Sequence, residues 1–261
     1  MAADESQRIL RELVEAIDAG RPVVLATVVA TRRSVPRHAG TKMLVYGDGR
    51  LSGTVGGGEM ESRVIQAAQE SLQTGATQLL TYDLVDPGAG DPGVCGGTVE
   101  IYVEPAMPPP TVLVAGAGHV GKAVVELAHW LGFRTIVTDD RPEEVDEALV
   151  PLADVRLSGS IDDALAAADG GELAVVLVSR SVDYDVASLP AVLHKAPRYV
   201  GVMGSSRRWG TTRGRLAAAG LTEEALAGVR APIGHEIGAE TVEEIAVSIM
   251  AEVIAAFRDQ R

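Results

Sequence analysis

The sequence predicts an α/β protein: a C-terminal Rossmann-like, doubly wound parallel sheet joined to an N-terminal α+β domain. Three observations carry this. Residues 111–139 read as strand, glycine turn, helix and strand, the turn being Gly116-Ala117-Gly118-His119-Val120-Gly121. Apolar strand and helix segments then alternate as far as the last helix, the pattern of a parallel sheet wound on both faces. Before them stands Pro105-Ala106-Met107-Pro108-Pro109-Pro110, whose three consecutive prolines continue neither a helix nor a central strand. The expected organisation is therefore an N-terminal domain over 1–105, a linker over 106–110 and the Rossmann-like domain over 111–261.

In the first half, Ile9, Leu10, Leu13, Val14 and Ile17 recur at helical spacing and predict one apolar stripe, stopped by Gly20-Arg21-Pro22. A β-rich run follows from Val23 to Ala30, and another from Lys42 to Tyr46. Gly47-Asp48-Gly49 then turns the chain toward Leu51 as a hairpin. Residues 59–73 read as a helix, and strands are expected near 77–82 and 98–104. In the second half the expected strands are 111–115, 134–138, 154–157, 173–179 and 198–203. The last helix is marked by a Thr241/Glu244 capping box and by the apolar face of Val242, Ile245, Ala246, Ile249, Met250, Val253 and Ile254.

Composition narrows the function. Hydrophobic residues make up 46% of the 261, with only two Phe and two Trp, so aliphatic side chains build the core. The net charge is −13, and both halves are acidic, which argues against nucleic acid as a partner because phosphate neutralisation needs a cationic surface. The single cysteine, Cys95, permits no intrachain disulfide and fits a reducing compartment. The acidic start Met1-Ala2-Ala3-Asp4-Glu5 is unlike a signal peptide. No apolar run approaches the ~20 residues of a membrane span. The expected location is the cytoplasm.

Four groups of residues suggest chemistry. In the turn, Gly116 permits the bend, Gly118 lets a pyrophosphate near the backbone, and Gly121 lets helix and strand pack closely. The amides at Gly118, His119 and Val120 then face the phosphates. Asp139 stands where an acidic side chain accepts from a ribose, favouring NAD over NADP, with Arg141 weighing the other way. His119 could act on a ligand or cap its helix. Second, Gly56-Gly57-Gly58 before a helix could form an anion nest, with Arg37 of Ser34-Val35-Pro36-Arg37 adding a guanidinium. Third, Cys95 in Gly93-Val94-Cys95-Gly96-Gly97 is either an inert small side chain or a soft ligand, with no partners at zinc-site spacing. Fourth, Gly204, Ser205, Arg207 and Arg208 could hold a phosphate or carboxylate, or else simply solvate a helix.

Taken together these motifs resemble the XdhC/CoxI family, accessory factors of xanthine dehydrogenase and related molybdenum hydroxylases. The likeness covers nearly the whole chain. It is carried by Ser34 to Arg37, Gly53 to Gly58 with Glu61, Cys95-Gly96-Gly97, the turn at 116–121, Asp139-Asp140-Arg141-Pro142, Gly201-Val202-Met203-Gly204-Ser205, Pro232-Ile233-Gly234, Gly238-Ala239-Glu240-Thr241 and the run Glu243 to Ile249. The resemblance implies an N-terminal XdhC/CoxI domain, and a maturation factor rather than an enzyme. Such a factor binds molybdenum cofactor of the molybdopterin type, supports its sulfuration and delivers it to an apo molybdenum hydroxylase of the xanthine or CO dehydrogenase type. It also implies a cysteine desulfurase as partner and self-association as a dimer.

In that setting Cys95 could contact molybdenum through the cofactor, and glycine nests with Arg37 suit its phosphate. The alternative from the residues alone is an NAD-dependent oxidoreductase or an NAD-sensing regulatory protein, with His119, His194 and His235 as proton-transfer candidates. Departures from the family pattern are Arg33 where glycine is usual, Glu59 in place of a second cysteine, Gly234-His235-Glu236-Ile237, Val242 for a proline, and no histidine around 181–185.

Overall fold

The computed structural model describes residues 2–85, 92, 93, 95–168 and 171–258. The chain divides into two compact units, Met1–Pro108 and Pro109–Arg261.

In the first unit, strands β1 (Val23–Arg32), β2 (Lys42–Tyr46), β3 (Leu51–Gly53), β4 (Gln78–Asp83) and β5 (Thr98–Ala106) form an antiparallel sheet ordered β3-β2-β1-β5-β4. Alternation assigns its faces. Val24, Ala26 and Val28 of β1 pack with Met60, Val64 and Ala68 of helix α2 (Gly58–Thr74). Val23 of β1 and Leu44 of β2 pack with Ile9 and Ala16 of helix α1 (Ala2–Asp18). The two helices thus cover opposite faces.

The α1 stripe is narrower than its sequence predicts. Ile9 and Ala16 are buried with Leu13 against them, whereas Leu10, Val14 and Ile17 lie about one step round the helix and are exposed. Strand β5 also runs further than expected, through Pro105 opposite Val24 and Ala106 opposite Val23. Pairing with β4 has already ended at Val103, so the missing N–H of Pro105 leaves no gap on that side.

The second unit carries a six-stranded parallel sheet ordered β11-β10-β9-β6-β7-β8. Its strands are β6 (Thr111–Ala115), β7 (Arg134–Asp139), β8 (Val155–Ser158), β9 (Leu173–Leu177), β10 (Tyr199–Val202) and β11 (Val229–Arg230). From β6 the chain steps outward to β7 and β8, then returns to the other side of β6 and steps outward again. This is the doubly wound order, with its reversal between β6 and β9. Both strands are buried throughout.

On one face, α3 (His119–Trp130) and α8 (Val242–Arg258) cover Val112 and Val114. On the other, α4 (Ile161–Ala167), α5 (Val182–His194) and α6 (Ser206–Ala218) cover Leu113 and Ala115. A further turn of helix, α7 (Glu223–Leu226), precedes β11. The capping box forms at α8: Glu244 N–H donates to Thr241 Oγ1 at 3.2 Å, and Thr241 N–H donates back to Glu244 at 3.0 Å. Among the described residues no helix is long and apolar enough to cross a membrane.

Candidate functional site

The reversal of strand order opens a cleft of about 480 Å³ at the C-terminal ends of β6 and β9. Gly116, Gly118, His119 and Val120 form one wall, with Asp139, Asp140, Arg141 and Glu144 at the β7 end and Ser179, Arg180, Ser181 and Tyr184 opposite. The glycines of the turn differ in what the fold asks of them. A Cβ on Gly121 would strike the Gly116 carbonyl, and one on Gly116 would meet the Val178 backbone at 2.9 Å. A Cβ on Gly118 meets nothing within 4 Å, and its φ of −70° suits any residue. The space beside Gly118 is the cleft itself.

Asp139 is 3% exposed and both its oxygens are engaged within the chain. Oδ2 accepts from the Ala117 N–H at 2.7 Å and from Arg141 Nη2 at 2.9 Å; Oδ1 accepts from the Arg141 N–H at 3.0 Å and from Arg141 Nε at 2.9 Å. Burial alone would push this carboxyl up, but the guanidinium and the amides outweigh it and hold it below the usual carboxylate range. Arg141 also donates to Glu144 at 2.9 Å, and Lys122 donates to Glu144 at 3.0 Å. The ribose acceptor expected at Asp139 is thus already bound by Arg141, so a diol here competes with that pair.

His119 begins α3, is exposed and lines the cleft, and no side chain caps that helix at Gly118. His194 and His235 do not line the cleft. Tyr184 does, and burial raises its phenol to about 12.

Gly204, Ser205, Arg207 and Arg208 make no common cradle. Ser205 caps α6 by accepting the Arg208 N–H at 3.2 Å, and Arg207 is exposed on that helix. Arg208 turns inward to the fully buried Asp185 at 2.6 Å and to the Ser179 carbonyl at 2.9 Å, so its charge is used behind the cleft wall. Sequence reasoning missed Lys122, Arg180 and Tyr184 of the lining. Lys122 directly follows the glycine turn, and Tyr184 lies in the 181–185 stretch, which drew notice only for its missing histidine.

In the first unit three motif loops meet. A Cβ on Gly97 would strike the carbonyls of Ser34 and Arg32, and one on Gly56 would press on Pro36. The Cys95–Gly97, Ser34–Arg37 and Gly53–Gly58 segments therefore pack on one another. Cys95 is a free, exposed thiol, and Val94 beside it lies outside the described residues. Arg37 is exposed, with no hydrogen bond or ion pair among the described residues.

The glycine nest exists, but its anion is internal. Glu61 Oε2 accepts from the N–H groups of Val55 and Gly57, each at 3.2 Å, and from the Thr54 hydroxyl, while the Gly56 N–H donates to Thr54 Oγ1 at 3.2 Å. The amides of Val55, Gly56 and Gly57 are thereby satisfied inside the chain, which corrects the expectation that Gly56 and Gly57 hold an external phosphate. Gly58 opens α2 beyond them. Arg33 sits at φ 58°, in the left-handed region that favours glycine. Among the described residues no group of three His, Cys, Asp or Glu could hold a metal ion.

Strand order and turn define a doubly wound α/β unit of the Rossmann type, preceded by an antiparallel α+β unit. The chain belongs to the XdhC and CoxI family: the pattern of the XdhC Rossmann domain matches residues 112–253, and that of the XdhC and CoxI family matches 16–83. Two Escherichia coli (strain K12) proteins are similar. One, the uncharacterized protein YqeB, is 33% identical over 89% of this chain, which spans 43% of that relative's length. The other, the molybdenum cofactor insertion chaperone PaoD, is 25% identical over 96% of this chain and 88% of its own. A solved structure described as a xanthine dehydrogenase from Bacillus halodurans shares the fold, with TM-score 0.51 at 22% identity and 96% of each chain covered.

Proposed function

We propose that this protein is an accessory factor in molybdenum hydroxylase maturation. It binds molybdenum cofactor of the molybdopterin type, supports its sulfuration and delivers it to an apo-hydroxylase of the xanthine or CO dehydrogenase type. Similarity to PaoD along nearly the whole of both chains supports this. The structural observation that carries it is the meeting of the Cys95, Arg37 and triple-glycine loops, which brings a free thiol and an unpaired guanidinium into one region of the first unit.

That donor set fits the cofactor. Cys95 would face the molybdenum–dithiolene centre as a soft ligand, and Arg37 would take the phosphate. The cofactor, when bound, supplies the metal centre that the client uses. The Glu61-filled loop would not bind phosphate; it would shape the neighbouring loops. Because Cys95 is the only cysteine, no persulfide–thiol relay can form within the chain, so the sulfur comes from a partner, a cysteine desulfurase. The working form is a homodimer, and the location is cytoplasmic.

Transfer tests the proposal. Cofactor-loaded protein mixed anaerobically with apo-hydroxylase should activate it beyond free cofactor at equal concentration. Equal activation by free cofactor would remove the delivery role.

A second reading, NAD-dependent oxidoreductase or NAD-sensing regulator, draws on the intact glycine turn and open cleft of the second unit. His119 is the histidine placed to serve it. Substrate-dependent NADH formation lost in Gly118→Val would favour the enzyme.

A further inference from the structure

Arg180 differs from the other Lys and Arg side chains of the cleft. Lys122 and Arg141 are paired with Glu144 and Asp139, whereas no hydrogen bond or ion pair holds the Arg180 guanidinium among the described residues. Its backbone, by contrast, is fixed on both sides. Ser179 Oγ donates to Asp185 at 2.6 Å and accepts the Ser181 N–H at 3.3 Å, and the Ser179 carbonyl accepts from Arg208 at 2.9 Å. Ser181 in turn caps α5 through the N–H groups of Asp183 and Tyr184.

Behind this loop the Arg208–Asp185 pair is closed at 2.6 Å around a fully buried carboxylate. Gly204 makes room for it: a Cβ there would meet Arg208 Cδ at 2.7 Å. Buried pairs contribute little net stability, because desolvation offsets their attraction. This one joins α5, α6 and the loop leaving β9, and so fixes where that loop points.

We propose that Arg180 is the anion-binding side chain of the cleft, taking a phosphate or diphosphate oxygen of the bound ligand, and that the Arg208–Asp185 pair is the device that positions it. The proposal rests on the reading that the cleft binds a phosphate-bearing ligand. The geometry gives that ligand a direction. At the β7 end, Asp139, Asp140 and Glu144 outnumber Lys122 and Arg141, leaving excess negative charge. Ligand anionic charge is therefore turned from β7 toward Arg180, and the start of α3 contributes backbone amides from the adjoining wall.

Calorimetric titration of the full chain with ADP-ribose tests this. Wild type should bind, Arg180→Gln should weaken binding at least about tenfold, and Arg180→Lys should recover part of the loss. Arg208→Gln should cost as much as Arg180→Gln, yet nothing more in a chain already carrying Arg180→Gln. Where Arg208→Gln fails to fold, the neutral pair Arg208→Gln with Asp185→Asn replaces it.

If Gly118→Val abolishes binding while Arg180→Gln leaves it intact, the cleft is a ligand site and the assignment of Arg180 is wrong. Additive losses at Arg180 and Arg208 would overturn the positioning role. Should wild type fail to bind ADP-ribose, or Gly118→Val bind it normally, the reading of the cleft falls and the proposal with it.

Discussion

The carboxylate of Glu61 accepts the backbone N–H of Gly57 at 3.2 Å, one helical turn ahead of it, and so closes the triple-glycine loop from within. Removing it leaves the buried Val55 N–H and the half-buried Gly57 N–H without a partner. Glu61→Ala should therefore lower stability by about 1–3 kcal/mol in urea unfolding. Sulfate should restore part of the loss in the variant and leave wild type nearly unchanged. A variant as stable as wild type would show that the loop does not depend on Glu61.

Arg33 occupies left-handed backbone without glycine's freedom. The strain of such a residue, about 1–3 kcal/mol, exceeds the added unfolded-state entropy of glycine, about 0.4–1 kcal/mol. Arg33→Gly is expected to stabilise the protein by about 1 kcal/mol, read as a higher urea midpoint at constant slope. A lower midpoint would mean that the Arg33 side chain makes a contact worth more than the strain.

Acid should loosen the cleft through Asp139. Its carboxyl is held below the ordinary value, so its contribution is fully present above the unfolded pKa, near pH 4, and is lost as pH falls through the lower folded value. The stability gap between wild type and Asp139→Asn should be constant from about pH 5 upward and shrink below about pH 4. A gap that widens in acid would reverse the assignment.

Breaking the buried pair from one side should be costly. Arg208→Gln leaves the fully buried Asp185 without its guanidinium, and a loss of about 3–5 kcal/mol is expected. Neutralising both partners should cost markedly less. Equal losses would place the stability in the Arg208 stem rather than in the charge.

The parts legible in the sequence were those set by neighbours along the chain. The β6–turn–α3–β7 unit and the Thr241/Glu244 box each need only local spacing, and both formed as expected. Features decided by long-range geometry were not legible. Glu61 turns back into its own nest, and Arg208 meets Asp185 across 23 positions of sequence. Arg180 reaches the cleft only because β9 returns beside β6. The two-residue β11 is too short to show a period. On α1, periodicity showed one apolar stripe from Ile9 to Ile17 but not which part of it the sheet would cover.

The central claim, that the chain binds molybdenum cofactor with Cys95 at the metal, is tested most directly by anaerobic titration of the cofactor into wild type and Cys95→Ser. Saturable binding with a dissociation constant below about 100 µM, weakened about tenfold or more by the substitution, is the predicted result. No binding by wild type at that concentration would contradict the account.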